Sequence, residues 1–180
     1  MKKAIEERMP IVEDASIEMI EILNKVVSEY TAELDNIMHG IERDILQTTS
    51  PAIYTIEQYF LNLSSCLYFM CENVEKLGVY DSISKSKAQE VYNNSYLNYQ
   101  YNNQKKPTVA ELTAMSEQDA LYDKTLNDLY NKAYKIVKNK VSAAETMIST
   151  LSKILSHRVQ ESQMTTTQTG KRILNEEVVF

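Results

Sequence analysis

The feature that most constrains the fold is a stretch of 49 residues, Ser116–Met164, that contains neither glycine nor proline. Apolar side chains recur in it every three or four residues, which is the spacing of one face of an α-helix. This face consists of Tyr122, Leu126, Leu129, Ala133, Ile136, Ala143 or Ala144, Met147, Leu151 and Ile154. A helix of that length extends roughly 70 Å. Because a chain of this size does not need so long a helix for its own core, we expect part of it to pack along other long helices, of this chain or of a second subunit.

The whole chain is poor in residues that interrupt helices, with three glycines and three prolines among 180 residues. We therefore predict an all-α fold, a long-helix bundle with a coiled-coil-like C-terminal helix. The predicted parts are an acidic antiparallel helical hairpin (1–80), a Tyr/Asn-rich helix and connection (81–107), a long coiled-coil-like helix (108–164) and a polar tail (165–180).

The acidic hairpin is predicted from two helical patterns and the break between them. The first pattern begins near Pro10 and continues to Leu46, with a slight bend at Gly40. Residues 48–51 (TTSP) form a clear break. The second pattern ends at Gly78, a residue type that suits the C-terminal cap of a helix. Because so few residues separate the two helices, they should run antiparallel.

The second helix of this hairpin is apolar over more than one face. In addition to its regularly spaced apolar residues it carries Tyr59, Leu61, Tyr68 and Phe69. A helix that is apolar on several faces is usually buried on several faces. We expect it either in the middle of a helical bundle or against a second subunit.

Two local signals predict where the later helices begin. Thr108 and Glu111 have the spacing of a capping box and should open a short helix. Ser116 and Asp119 resemble a second capping box and should open the long helix. After Gln163 the composition becomes polar, so residues 165–170 (TTTQTG) are expected not to be helical.

The net charge of −6 is unevenly distributed along the chain. Residues 1–83 carry 6 Lys and Arg against 15 Asp and Glu, whereas residues 84–180 carry 13 against 10. A basic second half is compatible with a nucleic-acid partner. The same charges are equally compatible with helix faces that simply point to solvent.

Motifs that would indicate an enzyme or a metal site are missing from the sequence. His39 and His157 are far apart, and no glycine-rich phosphate-binding loop is present. Cys66 and Cys71 are five residues apart on one predicted helix, a spacing that favours neither a disulfide nor a metal pair. We interpret them as small buried residues in a reducing compartment. The sequence therefore predicts no enzyme activity, no metal and no cofactor.

No apolar run reaches the length of about 18 residues that a membrane span requires. The N-terminal residues also lack the pattern of a secretory signal. We therefore expect a cytoplasmic protein without a membrane partner, in the host cytoplasm if it is encoded by a phage.

A tyrosine- and asparagine-rich segment between two pairs of lysines is the candidate nucleic-acid-binding site. Lysines could contact the phosphates of a single strand while tyrosines stack on its bases, without sequence preference. The candidate residues are Lys85, Lys87, Tyr92, Tyr96, Tyr99, Tyr101, Lys105 and Lys106. The alternative is that tyrosines at helical spacing belong to a core or an interface.

The long helix is the candidate element for self-association, because a homo-oligomer would bury its apolar face. The residues predicted to form that contact are Leu126, Leu129, Ile136, Met147, Leu151 and Ile154.

The order of features in residues 85–164 resembles a known family. A Lys-Ala pair precedes Tyr92, a Thr-x-x-Glu-Leu helix start follows at Thr108, and the long helix closes on an Ile/Leu-rich end and a Ser-His-Arg turn at 156–158. This order is similar to that of the UvsY-type phage recombination mediators. The resemblance implies a small helical protein that assembles into rings, binds single-stranded DNA and helps load a RecA-like recombinase onto DNA covered by single-strand-binding protein.

Three functions are compatible with these observations. The first is a recombination accessory protein that self-associates and binds single-stranded DNA, with a recombinase or other protein as partner. The second is a non-enzymatic protein-interaction module, such as a phage inhibitor of a host defence nuclease (anti-CRISPR-like), whose acidic half would occupy a basic groove. The third is a structural coiled-coil assembly protein.

Overall fold

The computed structural model describes the backbone of residues 9–102 and 107–176 and the side chains of residues 16–101 and 107–164. Within these ranges the chain forms four α-helices and one π-helical turn. The elements are α1 (Met9–Ile41), the π-helical turn (Glu42–Leu46), α2 (Ile53–Asn102), α3 (Val109–Asp119) and α4 (Leu121–Glu176). Because the described residues contain no strand, the predicted all-α, long-helix fold is confirmed.

Helix α2 continues through Gly78, so the predicted cap at this residue is wrong. A glycine cap requires a positive φ, and none of the described glycines has one. A Cβ atom added at Gly78 would lie 3.3 Å from Cε2 of Tyr134 on α4. The glycine therefore serves the close approach of a tyrosine ring to the helix backbone, not the end of the helix.

The segment 81–87, predicted to be a connection, is also helical, and polar contacts with α4 hold it there. Asn131 Nδ2 donates to the two carboxylate oxygens of Asp81 at 3.1 and 3.2 Å. Asn127 Nδ2 donates to the Asp81 carbonyl at 3.2 Å and to Ser84 Oγ at 3.1 Å. The predicted boundary between residues 80 and 81 thus lies inside a continuous helix.

The long helix begins at Leu121 and not at Ser116. The predicted capping box of Thr108 and Glu111 is confirmed, since each backbone N–H donates to the side chain of the other residue, at 2.8 and 3.3 Å. Ser116 is not a cap, because it is buried within α3 and its Oγ donates to the carbonyl four residues earlier at 2.7 Å. The helix is interrupted instead at Ala120, whose side chain is completely buried.

Helix α4 runs on through the Thr- and Gln-rich segment 165–170 to Glu176. The predicted non-helical tail is therefore wrong as far as residue 176, and residues 177–180 lie outside the described residues. Extending an existing helix by one residue costs far less than starting a new one. A polar segment with ordinary helix propensity can thus continue a helix that packing has already formed.

The chain divides into two compact units. One comprises Met1–Thr31 and Cys71–Asn139 and is called here the polar-core unit; the other comprises Ala32–Met70 and Lys140–Phe180 and is called the apolar-core unit. Each is built from segments of the long helices.

The core of the apolar-core unit consists of large aliphatic side chains from α1, the π-helical turn, α2 and α4. They include Leu34, Ile41, Ile45, Ile56, Leu63, Met70 and Leu151. Asp44 contacts Tyr59, while Glu33 lies close enough to Cys66 to act on its thiol. The residue later in α2 therefore meets the residue earlier in α1. The segments of α1 and α2 thus run antiparallel, as predicted.

The core of the polar-core unit is smaller in volume and more polar. Its buried apolar residues are Val27, Leu77, Ala88, Leu112, Ala120, Leu129, Ala133 and Val137. Among the described residues, the three buried polar ones, Thr31, Ser84 and Ser116, all belong to this unit. The contacts of α2 with α4 accordingly include serine, asparagine and tyrosine side chains beside the aliphatic ones.

The π-helical turn places a charged cluster against α2 in the apolar-core unit. The guanidinium of Arg43 donates to both oxygens of Asp44 at 2.6 and 2.9 Å, and the Tyr59 hydroxyl donates to the same carboxylate at 2.6 Å. The bonds from Arg43 first, and from Tyr59 second, hold the pKa of Asp44 well below its usual range. The bond that Tyr59 donates to Asp44 is also the main cause of the raised pKa of Tyr59. A Cβ atom at Gly40 would lie 2.5 Å from the Tyr59 hydroxyl oxygen, so the glycine leaves room for this ring.

Both cysteines are free thiols, in line with the spacing argument. Cys66 is buried, and burial, with a smaller contribution from Glu33, raises the pKa of its thiol. Cys71 is exposed, so the prediction that both are buried is wrong for this residue. Five residues turn a helix by roughly 140° beyond a full turn, which separates the two side chains onto different faces.

Candidate nucleic-acid interface

One group of the predicted site residues lies together on α2 in the polar-core unit. At about 100° per residue, Lys85, Tyr92, Tyr96 and Tyr99 fall within roughly 60° of one another around the helix axis. Lys85 is exposed, and the three tyrosines are half-buried. These four residues are called here the lysine–tyrosine face.

The remaining predicted residues do not join this face. Lys87 and Tyr101 are both exposed, and helical geometry places them roughly on the opposite side of α2. Lys105 and Lys106 lie outside the described residues. The segment therefore presents two separate surfaces, where the sequence had indicated one continuous site.

The centre of the lysine–tyrosine face is the ring of Tyr92. The ammonium Nζ of Lys124 on α4 lies 5.4 Å from the centroid of this ring, a cation–π distance. The ring of Tyr96 lies beside it, with centroids 6.3 Å apart and an interplanar angle of 32°. Lys124 also pairs with Glu117 Oε1 at 3.5 Å, so its charge is partly compensated. A cation and two tilted aromatic rings thus occupy one small area.

Tyr99 has a different role from the other tyrosines of the segment. Its hydroxyl donates to Asp119 Oδ2 at 2.9 Å, at the end of α3. This bond is the main cause of the raised pKa of Tyr99. The phenol of Tyr99 therefore links α2 to the end of α3.

Lys85 also borders an open cleft along α2. The cleft has a volume of about 740 Å³, and its lining includes Ser82, Gln89 and Asn93. Gln89 Nε2 donates to Asn93 Oδ1 at 2.9 Å. These neutral side chains offer donors and acceptors next to a cation, and Glu90 also lines the cleft, so its single positive charge is balanced by a carboxylate.

Further lysines extend the basic character along α4. Lys138 Nζ lies 5.8 Å from the centroid of the Tyr134 ring, and Lys132 and Lys135 are exposed. Residues 84–139 contain eight lysines against six acidic residues. The local balance is therefore positive although the chain as a whole is acidic.

Lys124 was not among the predicted site residues. Its contact with Tyr92 depends on the antiparallel packing of α2 on α4 in this unit, and no local pattern in the sequence encodes that register. The separate roles of Tyr92 and Tyr99 were missed for the same reason, because the partner Asp119 lies on another helix. Long-range pairing decides both features.

The six residues predicted for self-association are not equally available. Leu129 and Leu151 are buried inside the chain, at 6% and 0% exposure, so they are core residues of their own units. Leu126 is exposed. Ile136, Met147 and Ile154 are half-buried. Leu129 and Leu151 are therefore covered by other helices of the same chain, whereas the other four predicted residues keep part of their surface exposed.

Two further properties can be read from the described residues. They include no group of three or more His, Cys, Asp or Glu side chains that could hold a metal ion. No helix among them is long and apolar enough to cross a membrane.

Comparisons with protein-family models, with curated proteins and with solved structures find no match to this chain.

Proposed function

We propose that this protein is a non-enzymatic accessory protein of DNA recombination, which self-associates, binds single-stranded DNA without sequence preference and helps load a RecA-like recombinase. The observation that carries the proposal is the lysine–tyrosine face, with the Lys124 ammonium 5.4 Å from the Tyr92 ring and the Tyr96 ring beside it. Single strands are commonly held by this combination of cations for the phosphates and aromatic rings for the bases.

In the proposed complex, Lys85 and Lys124 contact phosphates while Tyr92 and Tyr96 stack on bases. Stacking on an aromatic side chain is worth about 1–3 kcal/mol per base and tolerates every base. The ammonium of Lys124 moves from the ring of Tyr92 to a phosphate, which leaves that ring free for a base. Tyr99 keeps α2 in position through Asp119.

Each subunit offers only a small binding surface, so assembly supplies much of the affinity. When several identical sites are held together, binding of a strand at one site raises its effective concentration at the next. The affinity for a long strand should therefore greatly exceed that for a strand that spans a single site.

The test is the affinity for a fluorescent oligothymidine in low salt, measured by anisotropy. Lys85→Glu with Lys124→Glu should weaken binding by about 100-fold and make the affinity less dependent on salt, because two phosphate contacts are lost. Lys87→Glu is the matched control on the same helix but on the opposite side, and should change the affinity by less than about threefold, which is within the range of a long-range charge effect.

Circular dichroism of each variant checks that the helices are intact. The double variant reverses two charges and the control reverses one, so a control loss of about tenfold beside a 100-fold loss in the double variant would assign the effect to total charge and not to this face. Unchanged binding in the double variant would eliminate the proposed site.

A protein-interaction module is the second candidate, and one observation favours it. Residues 32–70 carry one arginine against five acidic residues, which would repel DNA and attract a basic groove on another protein. This function predicts no binding of single strands even at low salt. A structural assembly protein predicts oligomers whose mass does not change when nucleic acid is added.

A further inference from the structure

In the apolar-core unit, helix α2 has two opposite apolar faces, and the described residues cover only one of them. The covered face includes Ile56, Leu63 and Met70. The opposite face, called here the outer stripe, consists of Tyr54, Leu61, Tyr68 and Phe69, which are 69%, 59%, 77% and 68% exposed. Tyr54, Leu61 and Tyr68 follow one another at intervals of seven residues, which keeps them in line along the helix.

Three of the four residues of the outer stripe, Leu61, Tyr68 and Phe69, lie in a segment without charge. Residues 58–71 contain no Asp, Glu, Lys, Arg or His, although charged residues make up 24% of the chain. A helix face in contact with solvent normally carries charged side chains. Because residues 58–71 carry no charge, this part of two identical outer stripes can approach without repulsion between like charges.

The exposed area of the outer stripe matches what a pair of identical surfaces needs. A large side chain has a surface of up to about 200 Å² when it is fully exposed. With the exposed fractions given above, the four side chains together expose roughly 500 Å². Two copies would bury about 1,000 Å² from these side chains alone, which is the lower limit for a specific interface. The rings of Tyr68 and Phe69 already pack edge to face, with centroids 5.3 Å apart, and form a ready anchor at one end.

We propose that two copies of this chain associate through their outer stripes, antiparallel and related by a two-fold axis near Leu61. Leu61 is the midpoint between Tyr54 and Tyr68 in sequence. A two-fold axis at this point brings Tyr54 of one copy opposite Tyr68 of the other, and the reverse, so that both ends of the interface are aromatic. This assigns self-association to α2, for which the sequence left a second subunit as one of two possibilities, whereas the residues predicted to form the contact lie on α4.

The distribution of charge at the edge of the outer stripe selects the antiparallel arrangement. In the antiparallel pair, residues equally far before and after Leu61 face each other. Glu57 of one copy therefore faces the neutral Ser65 of the other. In a parallel pair Glu57 would face Glu57, and like charges directly opposite each other destabilise a contact. The inference gives a location to the self-association within the proposed function, but it does not depend on DNA, so its test uses none.

Sedimentation equilibrium of the full chain tests the interface. The wild type should be a dimer or a higher assembly at micromolar concentration. Leu61→Glu should raise the dissociation constant by about 100-fold or more, because it puts two charges at the centre of an apolar contact. The matched control is Ile83→Glu on the same helix, since Ile83 is 58% exposed and Leu61 is 59% exposed. The control should associate like the wild type.

Three results would overturn the proposal: a wild type that is monomeric up to 100-fold above micromolar concentration, a Leu61→Glu variant that associates normally, or a control that dissociates equally. Circular dichroism separates loss of association from loss of folding. A monomeric wild type would leave the outer stripe to a different protein as partner.

Disulfide trapping tests the antiparallel geometry in a Cys71→Ser background. Leu61→Cys should form a cross-linked dimer on mild oxidation, because the two residues meet at the axis. Tyr54→Cys should not, because the two copies of this residue would be about 21 Å apart along the helices. Equal cross-linking of both variants would show a parallel pair, and no cross-linking of either would show that the outer stripes do not meet.

Discussion

The two units of the chain use segments of the same long helices but fill their cores differently. In the apolar-core unit the deepest side chains are large and aliphatic, such as Leu34, Ile56 and Leu63. In the polar-core unit Thr31 and Ser84 are buried beside aliphatic side chains, and Asp81, Asn127 and Asn131 bond between helices. Aliphatic packing is strong but tolerates shifts, whereas a polar network is satisfied in only one register.

The outer surfaces differ in the same way as the cores. The apolar-core unit has an uncharged apolar stripe on α2, while the polar-core unit has lysines beside tyrosines on α2 and α4. We propose a division of labour, in which one unit would supply the surface for assembly and the other would supply the surface for a charged ligand.

The largest expected effect tests whether aliphatic packing dominates the apolar-core unit. Leu63 is completely buried, so Leu63→Ala should lower the free energy of unfolding by about 3 kcal/mol, because it removes buried methyl groups and leaves a cavity. Urea denaturation followed by circular dichroism measures this. A loss below about 1 kcal/mol would mean that the site collapses easily and that the core is not tightly packed.

The next effect tests the polar network of the other unit. Asp81→Ala leaves the amide of Asn131 without its acceptor and should cost about 2 kcal/mol. Replacing Asp81 and Asn131 together by leucine removes donor and acceptor at once and should cost less than the single change. The same urea titration provides the values, and additive losses in the double variant would contradict a coupled network.

A smaller effect distinguishes the two glycines of the long helices. Alanine favours a helix over glycine by about 1 kcal/mol. At Gly78 the added Cβ would lie 3.3 Å from an edge of the Tyr134 ring, which can move slightly, so Gly78→Ala should be neutral or stabilising. At Gly40 it would meet the Tyr59 hydroxyl oxygen at 2.5 Å and displace it from Asp44, so Gly40→Ala should be the less stable of the two. Thermal melting of both variants gives the order, and the reverse order would mean that Tyr59 does not hold this position.

The smallest effect is a pH dependence in the apolar-core unit. Arg43 and Tyr59 lower the pKa of Asp44 in the folded state, so the carboxylate contributes stability above the usual aspartate pKa of about 3.9 and loses it as the pH falls towards the folded value. Between pH 4 and pH 2 the urea midpoint of the wild type should fall more than that of Asp44→Asn. Parallel curves for the two proteins would exclude this contribution.

The sequence predicts the helices of the apolar-core unit better than those of the polar-core unit. Apolar periodicity predicted the helical class, the break at residues 48–51 and the antiparallel hairpin, because the apolar-core unit is held by the side chains that periodicity detects. It ended the second helix at Gly78 because the pattern fades there, although α2 continues to Asn102 on contacts made by serine, asparagine and tyrosine. The capping box at Thr108 was predictable because it is local.

The candidate site was predictable in composition but not in arrangement. The tyrosines and lysines of the segment were evident, and helical geometry alone separates Lys85 from Lys87. The pairing of Tyr92 with Lys124 and of Tyr99 with Asp119 required the register between helices. The outer stripe was evident as a surplus of apolar residues, yet only the structure shows which face of α2 the chain leaves uncovered.

Sedimentation velocity with a fluorescent oligothymidine, at low and at moderate salt, tests the division of labour most directly. The account predicts that the protein sediments as a dimer or larger assembly at both salt concentrations, because its interface is apolar. It also predicts that the oligonucleotide sediments with the protein at low salt and is released at moderate salt, because lysines hold the phosphates. A monomer at both salt concentrations, or an assembly that appears only when DNA is bound, would contradict it.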